Sequence, residues 1–180
     1  MALPILPDEI RFAGKFLHMC NRDGWEFVVR PGSSGVVGIA AVTPDRELLL
    51  VEQYRTPIDA NVLELPAGLA GDIVGQEDES FEQAARRELL EETGYTADHW
   101  RYLGSGASSA GLTNERTHLF LATSLHRVGP GGGDASETIT VHHVPLDHVA
   151  DWIQQRIVTH HVGIDFKIYA ALYFIQQAKV

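Results

Sequence analysis

Leu65–Tyr95 reads LPAGLAGDIVGQEDESFEQAARRELLEETGY, and its second half carries the marks of one short helix. Ser80 is a natural N-cap, Gln83 three residues on completes a capping box, and Gly94 stands where a left-handed C-cap belongs. On a helical wheel Phe81, Ala84, Ala85 and Leu89 share one arc, the expected buried stripe. Glu88 and Glu92 fall inside that arc and Glu91 lies at its edge. Carboxylates at this spacing repel one another. A solvated acidic face would explain three glutamates on an arbitrary helix. Apolar neighbours on the same arc argue instead for hard oxygen ligands neutralised by divalent cations, with Mg2+ the default for a partly hydrated site and Mn2+ a substitute. Arg87 can reach Glu91 at i+4 and hold it in place.

Outward from this helix the chain reads as strands. Residues 10–19 (IRFAGKFLHM) and 25–30 (WEFVVR) suggest two, joined by a turn at Asn21–Gly24. Apolar runs at 36–42 and 47–55 look like central strands, and 61–68 (NVLELPAG) leads into the helix. WRYLGSGA and ERTHLFLATSL predict two more, separated by a loop at 108–114. VGPGGGDAS can only be a loop, TITVHHVPL alternates as a strand, and DHVADWIQQR and DFKIYAALYFIQQA predict helices. Strands around one acidic helix, with helix packed outside, give an α/β/α sandwich of mixed sheet, plus a small N-terminal antiparallel sheet.

The 180 residues fit one domain, with 1–35 as N-terminal strands and 36–180 as core. A net charge of −10 argues against nonspecific nucleic-acid binding. The single cysteine, Cys20, forms no internal disulfide and points to a reducing compartment. MALPILP lacks a basic start, and no apolar run approaches membrane-spanning length, so the expected localisation is cytoplasmic, without membrane attachment. The nine histidines show no H-E-x-x-H spacing.

Glu79, then seven residues, then Arg87-Glu88-Leu89-Leu90-Glu91-Glu92-Thr93-Gly94-Tyr95 resembles the Nudix hydrolase box, Gx5Ex7REUxEExGU, where U is bulky and apolar. The family's leading glycine would stand at Ile73; Gly68 is instead eleven positions before Glu79, and 69–78 reads as a loop lengthened by five. GWEFVVR, VEQYR, LELPAG and a late VPL followed by a helix resemble the ADP-ribose pyrophosphatase branch. That resemblance implies Mg2+-dependent cleavage of ADP-ribose or a related nucleoside diphosphate sugar. It also implies a homodimer that exchanges its N-terminal strands. Other Nudix substrates (GDP-mannose, a dinucleoside polyphosphate) and a non-catalytic nucleotide-sugar-binding module are the alternatives.

The resemblance assigns Glu88 and Glu92 as metal ligands, with Glu91 assisting and the Ala67 carbonyl completing the shell. Arg87 then orients the acids. Counting back from Val144-Pro145-Leu146 makes Glu137 the general base; a second acid of that loop matches Thr140, leaving Asp134 as the only back-up. Trp25 resembles the residue that stacks on adenine, although a strand aromatic packing in a dimer would look the same. Arg30 and Arg55 match residues that grip the diphosphate or terminal ribose, and Glu115 an acid that contacts substrate or metal. Ala110 replaces a proline frequent in the branch, which keeps other nucleoside diphosphate sugars open.

Overall fold

Asp23 and Gly24 both take positive φ, 52° and 84°, the two-residue turn that matches the twist of a hairpin. It joins β2 (His18–Arg22) to β3 (Trp25–Val29), and β1 (Glu9–Ala13) pairs on the other side of β2, giving a three-stranded antiparallel sheet. The run 10–19, read from sequence as one strand, is two. The Gly14 N–H donates to Leu17 O at 2.9 Å and turns the chain between them. The computed structural model describes residues 8–133 and 138–178.

The core follows from period-two alternation. In β4 (Gly35–Ala41), Val37, Ile39 and Ala41 face one apolar cluster while Ala40, with Val42 beyond the strand, faces another. After β5 (Glu47–Arg55), β6 (Ala60–Glu64) and β7 (Ala67–Ala70), the chain forms α1 (Phe81–Thr93), then β8 (Tyr95–Ala107) and β9 (Arg116–Arg127). One four-stranded sheet runs β7-β4-β9-β8, with β4 and β9 parallel and the other pairs antiparallel. Ala84, Ala85 and Leu89 of α1 pack on its first face with Phe120, Ala122 and Leu125.

The remaining elements are β10 (Thr140–Pro145), α2 (Val149–His160), β11 (Gly163–Ile164) and α3 (Lys167–Ala178). The second sheet runs β10-β5-β6-β11, with β11 parallel to β6. Leu48, Leu50 and Leu63 share a core with Leu121, and Ile153 of α2 and Ile168, Ala171 and Ile175 of α3 close it. The mixed α/β layering agrees with the sequence reading, but both late helices join this outer core, and β8 starts five residues before WRYLGSGA. Tyr95–His99 lacks apolar alternation; its pairing with β9 makes it strand.

Buried Glu52 of β5 ties this layer together. Its carboxylate accepts from Asn61 of β6 (3.2 Å), His142 of β10 (2.9 Å) and Arg156 of α2. Burial pushes the Glu52 carboxyl up, but the hydrogen bonds and charge of Arg156 and His142 outweigh it and hold it below the ordinary glutamate value. A depressed carboxyl stabilises the fold above the unfolded value of about 4.3, and that contribution is lost as pH falls through the lower folded value. Glu52→Gln should therefore cost about 1.5–3 kcal/mol at neutral pH, the worth of charged hydrogen bonds. In urea melts from neutral pH down to about pH 3, its deficit relative to the unsubstituted protein should shrink below about pH 4.

Candidate active site

The helix α1 begins and ends where its caps dictate. Ser80 Oγ accepts from the Gln83 N–H at 3.3 Å while Gln83 Oε1 accepts from the Ser80 N–H at 2.9 Å. Gly94, at φ 75°, closes the C-terminus by donating to Leu90 O. Between these caps Glu92 sits on the buried stripe, 3% exposed, and its Oε2 accepts from the Ala67 N–H at 3.0 Å.

Arg87 organises the acids. Its guanidinium makes a two-pronged contact with Glu79 (3.1 Å each), donates to Glu88 Oε1 (2.7 Å) and Glu91 Oε2 (3.2 Å), and reaches Leu69 O (2.9 Å). These five bonds match the five N–H groups of an arginine. Burial works to lower its proton affinity, but Glu79 and Glu88 more than reverse that, so it is held charged. Glu79, nearly buried, is thus joined to the box despite the lengthened loop before it. The contact with Glu91 expected from the i+4 spacing is present, and the two-pronged contact lies on Glu79.

Glu88 lies directly over Gly68, where an added Cβ would stand 2.1 Å from its carboxyl carbon. Burial first, then the charges of Glu91 and Asp72, push its carboxyl up to about 7 against the opposing effect of Arg87. More negative charge is gathered here than one arginine offsets.

Glu88, Glu91, Glu92 and Ala67 line a cavity of about 670 Å3, a volume suited to a nucleotide-sized ligand. Arg30, Arg55 and Glu115 line it as well. Arg30 Nε donates to Glu115 Oε2 (3.3 Å), and Arg55 Nη2 lies 2.6 Å from Glu64 Oε2. Trp25 does not line it. The indole is 65% exposed, donates to Gly111 O (3.3 Å), and sits in a groove with Phe27, Ala110 and Asn114. Glu137 and Asp134 lie outside the described residues. Sequence reading missed Glu64, Asp72 and Lys167 as cavity residues. For Glu64 a signal existed: a carboxylate inside the apolar run VLEL, which must find a partner when buried.

The NUDIX domain family model matches residues 33–162. The chain belongs to the Nudix hydrolase family. A methanol dehydrogenase activator from Bacillus methanolicus is 31% identical over 152 residues, 84% of this chain and 75% of that protein. An ADP-ribose pyrophosphatase from Bacillus subtilis is 33% identical over 134 residues, 74% of this chain and 68% of that one, in line with the branch resemblance. A crystal structure of an ADP compounds hydrolase aligns over 97% of this chain and 92% of that one, with a TM-score of 0.70 and 21% identity, which shows the shared fold. Among the described residues no helix is long and apolar enough to cross a membrane.

Nudix hydrolases generally use divalent metal ions, and the donor chemistry here fits one. Three carboxylates of α1 face one cavity, and burial raises the Glu88 carboxyl to about 7, a group whose charged form a bound cation would favour. Among the described residues no three His, Cys, Asp or Glu side chains form a ready-made cage.

The end of α1 is strapped from outside. Gly132 N–H donates to Glu92 O (2.8 Å) and Gly133 N–H to Glu91 O (3.0 Å). Gly131, at φ 70°, passes so close that a Cβ would meet the Thr93 carbonyl carbon at 2.4 Å. Gly131→Ala should cost about 2–4 kcal/mol, combining left-handed strain with a backbone clash. Chemical denaturation checks the loss, and turnover should fall with it because the strap holds the carbonyls of two box glutamates.

Proposed function

We propose that this Nudix protein hydrolyses the pyrophosphate bond of ADP-ribose or a related nucleoside diphosphate sugar, giving a nucleoside monophosphate and a sugar phosphate. The observation that carries this reading is one cavity joining the acidic helix to separately anchored cations, Arg30 on Glu115 and Arg55 on Glu64. A diphosphate needs both parts: cationic donors for its oxygens, and carboxylates that hold a metal against them.

In this reading water oxygen bonds to one phosphorus, the bridging P–O bond breaks, and the leaving phosphate departs with the pair. Mg2+, or Mn2+ in its place, neutralises phosphoryl charge and makes the attacking water more acidic when bound. Glu88 and Glu92, with Glu91 and the Ala67 carbonyl, would hold that ion. Arg87, with its N–H groups all engaged, positions the acids. Arg30 and Arg55 orient the diphosphate and ribose, Glu115 supports Arg30, and Glu137 takes the proton from water.

The reading includes a crossed homodimer. The N-terminal sheet exposes Ile10, Phe12 and Trp25, and the turn between its first two strands exposes Phe16 and Leu17, apolar side chains that a second copy would cover. Such an exchange brings Trp25 toward a partner's cavity, where its ring would stack on the base. The protein is assigned to the cytoplasm.

A panel of diphosphate substrates (ADP-ribose, ADP-glucose, GDP-mannose, a dinucleoside polyphosphate), read by phosphate release after phosphatase treatment, tests the substrate class. ADP-ribose or a nucleoside diphosphate sugar should give the highest kcat/KM, chelation should abolish turnover, and Mg2+ or Mn2+ should restore it. Glu92→Gln should lower kcat on the order of a hundredfold or more with thermal stability little changed; full activity would remove the carboxylate argument. Glu137→Gln should reduce kcat more than it raises KM. Phe12→Asp should convert the dimer to monomer in light scattering.

A further inference from the structure

Side chains alternate along β5, so Val51, Gln53 and Arg55 share one face and Glu52 and Tyr54 the other. Val51 stands opposite Glu64 of β6 and Gln53 opposite Val62, which sets Glu64 diagonally across from Gln53 on that same face. Gln53, Arg55 and Glu64 all line the large cavity. Gln53 is only 8% exposed, as buried as Glu64 beside it. The buried carboxylates Glu52, Glu64 and Glu92 each accept at least one hydrogen bond, whereas among the described residues the Gln53 amide makes none. Nor is that amide sealed in the core. Among the described residues, the buried side-chain atom that lacks a partner and is closed off from solvent is Arg156 Nε. The exposure that the Gln53 amide keeps is toward the cavity it lines.

An amide buried without a partner is costly, and a methionine would fill the same space without that cost. A glutamine here makes sense when a ligand supplies the partner that the fold does not. Its carbonyl accepts and its NH2 group donates twice. Glu64 adds a further acceptor: the Arg55 contacts fall on Oε2, at 2.8 and 2.6 Å, and no described residue donates to Oε1. Phosphate oxygens only accept, so they have no use for an amide carbonyl or a carboxylate oxygen. Hydroxyls both donate and accept, and a vicinal pair can accept from the amide while donating to the carboxylate. We propose that Gln53, together with Glu64 Oε1, binds hydroxyls of a substrate sugar and is a specificity-determining residue of this cavity. This rests on the pyrophosphatase reading and deepens it.

Gln53→Met keeps the length of the side chain and removes the amide. Because that amide has no partner in the fold, Tm should stay the same or rise, whereas an amide needed for folding would lower it. Steady-state kinetics of the full chain with ADP-ribose should show KM raised about three- to tenfold, the loss of a neutral hydrogen bond, with kcat within about twofold. Two analogues, measured as competitive inhibitors of ADP-ribose hydrolysis, remove hydroxyls from one sugar at a time. The methyl ester of ADP lacks the second sugar, and an ADP-ribose whose adenosine lacks both ribose hydroxyls alters the first. The inhibition constant of at least one analogue should be the same for Gln53→Met as for the unsubstituted protein, and that analogue identifies the sugar held. An unchanged KM, a fall in kcat alone, a Tm lowered by more than about 4 °C, or inhibition constants that rise for both analogues in step with KM would overturn the proposal. If the unsubstituted protein does not cleave ADP-ribose, the pyrophosphatase reading fails separately. Calorimetric titration with ADP-ribose and the two analogues then decides on Gln53: a Kd weakened for ADP-ribose and unchanged for one analogue supports it, and equal or absent binding of ADP-ribose overturns it.

Discussion

Every N–H of the Arg87 guanidinium is committed to Glu79, Glu88, Glu91 or the Leu69 carbonyl. Without that, α1 would be a poor helix. Glu91 and Glu92 sit in its last turn, where the helix dipole is already negative, and that turn contains no basic residue. The capping box, the Gly94 cap and the glycine strap each offset part of this strain from outside the acidic face. Arg87 works from within it, and a lysine there would offer a point charge where a planar fork is needed.

The same arginine sets a limit. One positive charge faces Glu79, Glu88 and Glu91, with Asp72 nearby at 3.9 Å. A stronger counter-charge would give a steadier helix and a site with no appetite for a cation. Burial raises the Glu88 carboxyl to about 7 even with Arg87 beside it. The apolar sandwich tolerates this because Glu88 lies over Gly68, where there is no side chain, and the buried Glu92 accepts from the Ala67 N–H. On the far side Glu52 is treated in the opposite way, with enough partners to stay ionised.

What could be read from sequence was what is local. Ser80, Gln83 and Gly94 bound α1 to the residue because capping is a matter of three or four neighbours. The strand β5 was equally legible, as an apolar run that ends at the polar turn around Pro44 and Asp45 and at Thr56-Pro57. Long-range pairing was not. β11 is two residues long and exists only because β6 lies beside it, so Lys167, three residues beyond it, gave no sign of facing a cavity. The early hairpin was read as one strand because Phe12 and Phe16 continue an apolar pattern across a turn made by backbone hydrogen bonding. Trp25 was found by its flanking residues, but its place relative to the cavity depends on how the small sheet packs, which spacing does not encode.

Charge pairing explains why a protein of net charge −10 can present a site for an anion. Each of the cavity cations Arg30, Arg55 and Lys167 has one carboxylate partner, so the cations are oriented and partly neutralised before any ligand arrives. An entering diphosphate does not meet a bare basic patch, which would bind nucleic acid without discrimination. It must displace or share existing pairs, and only a ligand whose donors and acceptors fall at those positions recovers what the exchange costs. On the proposed reading, discrimination in this cavity lies with the carboxylates beside the cations as much as with the cations themselves. Those carboxylates, Glu115, Glu64 and Asp165, stand just before β9, at the end of β6 and just after β11, and not on the helix that the motif marks.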